Sequence, residues 1–329
     1  MKSLNVNRLA LLPILLSLSL ACVPNESAPR LIKVGVSHGP SHSFVLAMKR
    51  FGDHLETSSQ GRYEVRVYDS SRVGSEKEMQ EMLTIGTLEV TVTGLLSNYE
   101  PLFAILEMPF LYRDRDHVTK VMRSTTVQKL SAPLIPKGIR LVGFVENGFR
   151  HITNSKRPIN EPRDLKGLMI RTPENPAQIE TFRALGAIPT PLSFSELYTA
   201  LLQGVVDGQE NPLQNIWFGR LFEAQPHLAL TGHIYNSAYV LISERFWSSI
   251  SEEDRSLILE AVEEASNWQM QHMVKLDGEL EVKLRQAGVQ ITAPDRVTFS
   301  EATEPAYEAL YERLGHRARQ LVEEIREIR

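Results

Sequence analysis

Between Leu31 and Val92 the hydrophobic period of the chain switches four times, and nothing else in the sequence restricts the fold as tightly. Leu31-Ile32-Lys33-Val34-Gly35-Val36 reads as a buried strand. Phe44, Met48, Phe51 and Leu55 then fall on one face of a helix. Tyr63-Glu64-Val65-Arg66-Val67-Tyr68 alternates apolar and polar residues, as a half-buried strand does. Ser75 and Glu78 have the spacing of a capping box, opening a second helix that ends near Gly86. Leu88, Val90 and Val92 alternate again. Strand, helix, strand, helix and strand within about 60 residues predict βαβ units and a largely parallel sheet.

The order returns after Arg140. Arg140 to Val145 and Leu168-Met169-Ile170-Arg171 read as strands. Asn175-Pro176 has the form of an N-cap and first-turn proline, opening a helix that buries Ile179, Phe182 and Leu185 before Gly186. Ser193 and Glu196 form a second capping box, for a helix carrying Leu197 and Leu201 with Gly204 beyond it. Val205 to Glu210 leads into Asn211-Pro212, again a cap and first turn in form. From Ser251 to about Ala287, apolar residues including Leu257, Ala261, Ala265, Leu276, Leu280 and Leu284 recur at helical spacing. At 1.5 Å per residue such a helix reaches roughly 55 Å, more than one domain diameter, so it is expected to lie along two lobes. A last helical segment runs from about Glu301 to the end. The length, 329 residues, is enough for two α/β lobes.

A net charge of -4 and the lack of any basic stripe give no case for a nucleic-acid partner. Lys2 and Arg8 precede an apolar run from Leu9 to Leu20, followed by Ala21-Cys22. That is the pattern of a secretory signal peptide over residues 1–22, too short to span a bilayer comfortably, which takes about 20 apolar residues. Cys22 is the only cysteine and can form no internal disulfide. Leu18-Ser19-Leu20-Ala21-Cys22 resembles a bacterial lipobox, in which the thiol is acylated and becomes the mature N-terminus. Cys22 is therefore either a lipidation site or part of a discarded leader. Both readings take the chain to the periplasm, and the first tethers it to the membrane.

Catalysis finds no support. There is no nucleophile elbow, phosphate loop, paired zinc-binding histidines or dinucleotide fingerprint. Glu252-Glu253 and Glu263-Glu264 read as solvated helix faces. The nine histidines have no ligand spacing, so neither metal nor cofactor is expected.

Val206-Asp207-Gly208-Gln209-Glu210-Asn211-Pro212 is more specific. With Glu146-Asn147-Gly148-Phe149-Arg150, Thr153-Asn154-Ser155-Lys156-Arg157-Pro158-Ile159, Asp164-Leu165-Lys166-Gly167-Leu168-Met169-Ile170-Arg171 and Phe194-Ser195-Glu196, it resembles the TRAP (tripartite ATP-independent periplasmic) transporter solute-binding proteins. The resemblance runs from Ser37-His38-Gly39 through essentially the rest of the chain. It implies an α/β, two-lobed periplasmic binding protein fold that closes about a hinge, with one long helix spanning both lobes. Lobe I is expected at 30–148 plus 236–276, and lobe II at 149–235 plus 277–329. The implied ligand is a small organic acid such as a dicarboxylate, keto acid or sugar acid. The implied partners are the small and large integral membrane subunits of the transporter. A chain that hands over its cargo is expected to be a monomer. The alternative is a sensor of the same fold that reports ligand to a signalling receptor.

The positions matching the family's ligand-contacting pattern are Arg150, Arg171, Phe194, Asn211 and His233, with Arg171 at the position that pairs with the ligand carboxylate. Physical chemistry supports Arg171 separately. It follows an apolar strand, ligands bind beyond the carboxyl ends of parallel strands, and a guanidinium meets a carboxylate with two parallel bonds. Arg150 reads as a second clamp or as half of a salt bridge. Asn211 reads as a ligand contact, a helix cap, or both. Phe194 is either an aromatic floor for the ligand or core, and His233 either a contact or an interior histidine. In sialic-acid-binding relatives a ligand-contacting glutamate ends the strand after Gly86; the matching position here is Gly94, which argues against sialic acid. Thr93 and Ser97 are expected to offer hydroxyls instead, and His38 lies at the edge of the expected cleft.

Overall fold

The computed structural model describes residues 28–329, so the expected signal peptide (1–22) and Cys22 lie outside the described residues. The strands are β1 (Arg30–Val36), β2 (Tyr63–Tyr68), β3 (Val90–Thr93), β4 (Ile139–Asn154), β5 (Met169–Thr172), β6 (Ile188–Pro191), β7 (Gly208–Asn211), β8 (His227–Ser243) and β9 (Gln290–Thr292). The helices are α1 (Ser43–Ser58), α2 (Glu76–Ile85), α3 (Arg115–Met122), α4 (Thr125–Ser131), α5 (Pro176–Ala184), α6 (Phe194–Leu202), α7 (Leu213–Phe218), α8 (Glu244–Trp247), α9 (Glu252–Gln286), α10 (Arg296–Leu314) and α11 (His316–Glu327). One sheet runs in the order β2-β1-β3-β8-β4-β7-β5-β6, with β9 added to β8.

Two parallel groups, β2-β1-β3 and β7-β5-β6, are joined through the antiparallel pair of β4 and β8. That pair runs from Ile139 opposite Ser243 to Asn154 opposite His227, so both strands pass through both halves of the molecule. Its register shifts at Leu141/Gly143, Glu146/Gly148 and Arg150/Ile152. Such irregularities bend and twist a ribbon. At the middle shift Gly148 takes φ 114°, a conformation that side chains with a Cβ resist, opposite Asn236.

Helix α9 has 35 residues, about 52 Å at 1.5 Å per residue, and is capped where expected, Ser251 accepting from the Asp254 N–H at 3.1 Å. Its first half places Ile258, Ala261, Val262 and Ala265 in a core with Val34, Phe44 and Phe51. Its second half places Met273, Leu276, Leu280 and Leu284 in another with Leu213, Ile216 and Leu228. Burying each such leucine or isoleucine contributes about 1.5–3 kcal/mol. Between the two cores the helix turns polar. Gln269, fully buried, donates to the Glu146 carbonyl (2.7 Å) and Ser43 Oγ (2.9 Å) and accepts from the Glu146 N–H (2.9 Å).

Other expected signals have physical counterparts. Ser75 and Glu78 make both capping-box bonds, Gly86 ends α2 at φ 75°, and Asn175 accepts from the Ala177 N–H at 2.8 Å. Three expectations need correction. Asn211 closes β7, and Pro212 takes the N-cap position of α7. Ser193 precedes α6 but bonds the Glu196 carboxylate (2.5 Å) rather than a backbone N–H. The last segment is two helices, broken at Gly315 with φ 79°. Helix α11 then lays Leu321, Val322 and Ile325 on a core that includes Phe103, Leu106, Val118 and Val121.

Candidate ligand-binding cleft

The carboxyl ends of β1 and β3 in one half, and of β5 and β7 in the other, open onto a cleft of 540 Å³. That volume suits a small metabolite. Arg171 on β5, Asn211 closing β7, Arg150 on β4, Phe194 opening α6 and His38 beyond β1 all line it.

Arg171 is 2% exposed. Its Nε and Nη2 donate to the Leu192 carbonyl, at 2.9 and 2.6 Å, just after β6. This fixes the side-on edge of the guanidinium and leaves three of its five N–H donors, all at the Nη1–Nη2 end. Among the described residues it makes no ion pair. Burial pulls its pKa down to about 10, against the attraction of Glu210, and it stays charged at neutral pH. A buried cation with no counter-charge is costly by several kcal/mol, and an incoming anion relieves that cost.

Arg150, equally buried, is already neutralised. Its Nε pairs with Glu210 Oε2, and its Nη2 donates to Glu210 Oε1 (2.8 Å), the Glu210 carbonyl (2.7 Å) and Asn211 Oδ1 (3.1 Å). Burial alone would raise the Glu210 carboxyl; the charge of Arg150 and hydrogen bonding hold it below the usual carboxylate range. His233 lies behind this pair, fully buried, with Nδ1 2.7 Å from Thr231 Oγ1 and Nε2 3.4 Å from Glu210 Oε2. The second distance is too long for a good hydrogen bond. Burial lowers the pKa of His233, which favours the neutral ring.

Aromatic rings meet across the opening. His38 stacks on His42 with centroids 4.0 Å apart and lies 4.6 Å from Phe194 of the opposite half. His42 Nδ1 accepts from the Phe44 N–H (3.2 Å) and caps α1, while Nε2 lies 2.8 Å from Asn215 Oδ1 on α7. Those two bonds together fit only the neutral ring protonated at Nε2. Burial, opposed by the Asn215 bond, brings the pKa of His42 down to about 4.

The structure thus gathers Arg171, Arg150, Asn211, Phe194 and His38 around one space, whose lining does not include His233, Thr93 or Ser97. Thr93 Oγ1 donates to Glu76 Oε2 (2.8 Å) and accepts from Gln80 Nε2 (3.1 Å) and the Leu95 N–H (3.0 Å). Its neighbour Gly94 does line the cleft. Sequence reasoning missed Glu76, Glu107, Asn147, Gln178 and Asn236, which also line the cleft, and the role of Glu210. Glu107 carried a signal: it is the one acid in the otherwise apolar run Leu102-Phe103-Ala104-Ile105-Leu106-Glu107-Met108-Pro109-Phe110.

Comparison with known proteins gives a consistent pattern. A family model described as DctP, bacterial extracellular solute-binding protein, family 7, matches residues 34–314. A solute-binding protein of Verminephrobacter eiseniae is 33% identical over 295 residues, covering 89% of this chain and 88% of the relative. A TRAP periplasmic solute-binding protein from Polaromonas sp. JS666, solved with D-erythronate, is similar at TM-score 0.87 and 34% identity, over 91% of this chain and 99% of its own. Another from Roseobacter denitrificans, solved with L-galactonate, has TM-score 0.85 and 30% identity over the same shares. No helix among the described residues is long and apolar enough to cross a membrane.

Proposed function

The chain belongs to family 7 of the bacterial extracellular solute-binding proteins, which serve TRAP transporters, and from that premise we propose that its cargo is a polyhydroxylated monocarboxylate, a sugar acid, held at its carboxylate by Arg171. One observation carries the reading: Arg171 is a buried cation lining the cleft with no acid partner among the described residues, beside an arginine that has one. A single such cation calls for a single carboxylate. The remaining wall offers the carboxyls of Glu76 and Glu107 and the amides of Asn147, Gln178 and Asn236, partners that suit hydroxyl groups. D-Erythronate and L-galactonate, held by two relatives, have that chemistry.

In this reading Arg150 and Asn211 contact the same end of the ligand, Phe194 and His38 close over it, and His233 acts only by supporting Glu210. The lobes divide at 148/149 and 235/236, beside the bulge at Gly148, and within α9 at 276/277. The loaded monomer docks on the small and large membrane subunits, and acylation of Cys22 keeps it near them.

A thermal-shift screen of aldonates, uronates and diacids tests the ligand class. A true ligand at 100-fold over its Kd stabilises the fold by about 2.7 kcal/mol. Arg171→Ala is expected to weaken binding by about 2–5 kcal/mol in calorimetry, with the melting temperature of the unliganded protein unchanged or raised. Near-native affinity in that variant would falsify the role given to Arg171.

A further inference from the structure

Glu107 ends a 3₁₀ turn, Pro101–Glu107, in the half that carries β1–β3, and is 3% exposed in the cleft wall. Gln178, 1% exposed on α5 of the other half, donates from Nε2 to Glu107 Oε2 at 2.7 Å. The other end of that amide, Oε1, has no hydrogen-bond partner among the described residues. A bond that ties the two halves together therefore leaves a buried acceptor in need of a donor, and an unmet buried acceptor is destabilising while it waits.

Five titratable groups face Glu107. Burial has the largest effect and pushes its carboxyl up to about 8; Arg150 on β4 opposes this, while Glu210 on β7 and Glu76 on α2 reinforce it. Tyr112 and Tyr239 pack nearby with hydroxyls that burial holds well above their ordinary range, so they add no charge. At neutral pH Glu107 is accordingly an acid with a proton to give.

We propose that Glu107 and Gln178 form a hydroxyl-reading pair, in which the Glu107 carboxyl donates its proton in a hydrogen bond to a ligand hydroxyl oxygen and that hydroxyl donates to Gln178 Oε1. The inference rests on the sugar-acid reading and names the residues that distinguish a sugar acid from a diacid. A hydroxyl both accepts and donates, so it satisfies both groups at once. A second carboxylate has no hydrogen for Gln178 Oε1 and would lie beside Glu76 and Glu210. Sites built to bond a hydroxyl reject analogues that cannot return the bond.

The pair also couples binding to protons. Binding needs the neutral carboxyl, so affinity is full below about pH 8 and falls as pH rises through that value. In the complex the carboxyl holds its proton more tightly, so binding near pH 8.5 takes up a proton.

Calorimetry with L-gulonate, D-erythronate and the diacid D-glucarate, from pH 6.5 to 9.0 in two buffers of different ionisation enthalpy, tests this. The wild-type protein is expected to bind the monoacids at least tenfold more tightly than glucarate, to take up a proton at pH 8.5, and to lose affinity above pH 8. Glu107→Gln keeps a donor and is expected to bind with a flat pH profile and no proton uptake. Gln178→Leu is expected to narrow the gap between gulonate and glucarate. Monoacid binding without proton uptake, uptake that persists in Glu107→Gln, or equal affinity for glucarate would overturn the hydroxyl-reading pair while leaving the sugar-acid reading in place. Failure of every monoacid to bind the wild-type protein would overturn both.

Discussion

Arg150 and Arg171 have the same exposure, 2%, in the same cleft, yet their surroundings give them different work. Arg150 is locked to Glu210 through a bidentate pair and a carbonyl, so it holds strand β7 against β4. Arg171 is oriented by one carbonyl and keeps its charge for a visitor. Glu210→Gln is expected to cost about 3–5 kcal/mol in urea unfolding, because it strands Arg150 as an unpaired buried charge. Only part of this was legible beforehand. Arg171 follows an apolar strand, and that placement alone points to a cleft. Glu210 stood in a quoted segment, but its burial against Arg150 depends on a pairing between β4 and β7 that no local pattern reveals. Glu107 meets Gln178 across 71 positions, which no reading of spacing anticipates.

Elements with strong local chemistry were readable, including the strand that carries Arg171, whereas β8, which passes polar residues beside the cleft, was not. The capping box of α2, the Asn175 cap and the start of α9 at Ser251 follow from side chains acting within one turn. β8 escaped because Thr231, Gly232, His233, Asn236 and Ser237 interrupt its apolar alternation where the strand passes the buried polar centre. A strand that crosses a binding cleft must carry polar groups there, so function erased its periodicity. Gly143 shows another constraint of the same ribbon. A Cβ at this position would fall 2.4 Å from Val262 Cγ1, because α9 packs directly on β4. Gly143→Ala is expected to destabilise by about 1–3 kcal/mol in thermal denaturation, and Val262→Ala in the same chain to recover part of the loss.

At the scale of the molecule, the two halves share β4, β8 and α9, so neither has a complete core of its own. Unfolding is expected as one transition: variants retaining only Trp247, beside the first core, or only Trp217, beside the second, should report the same urea midpoint. Separate midpoints would mean that the halves fold independently. The two-group architecture followed from alternating periods in the sequence, whereas the continuous sheet depended on the unrecognised β8. Helix α9 has a further mechanical meaning. A rod seated at both ends in packed cores behaves as a beam rather than a pin, and swinging one half loads it. Any swing of one half against the other therefore has to bend the helix or pull it out of one of those two cores.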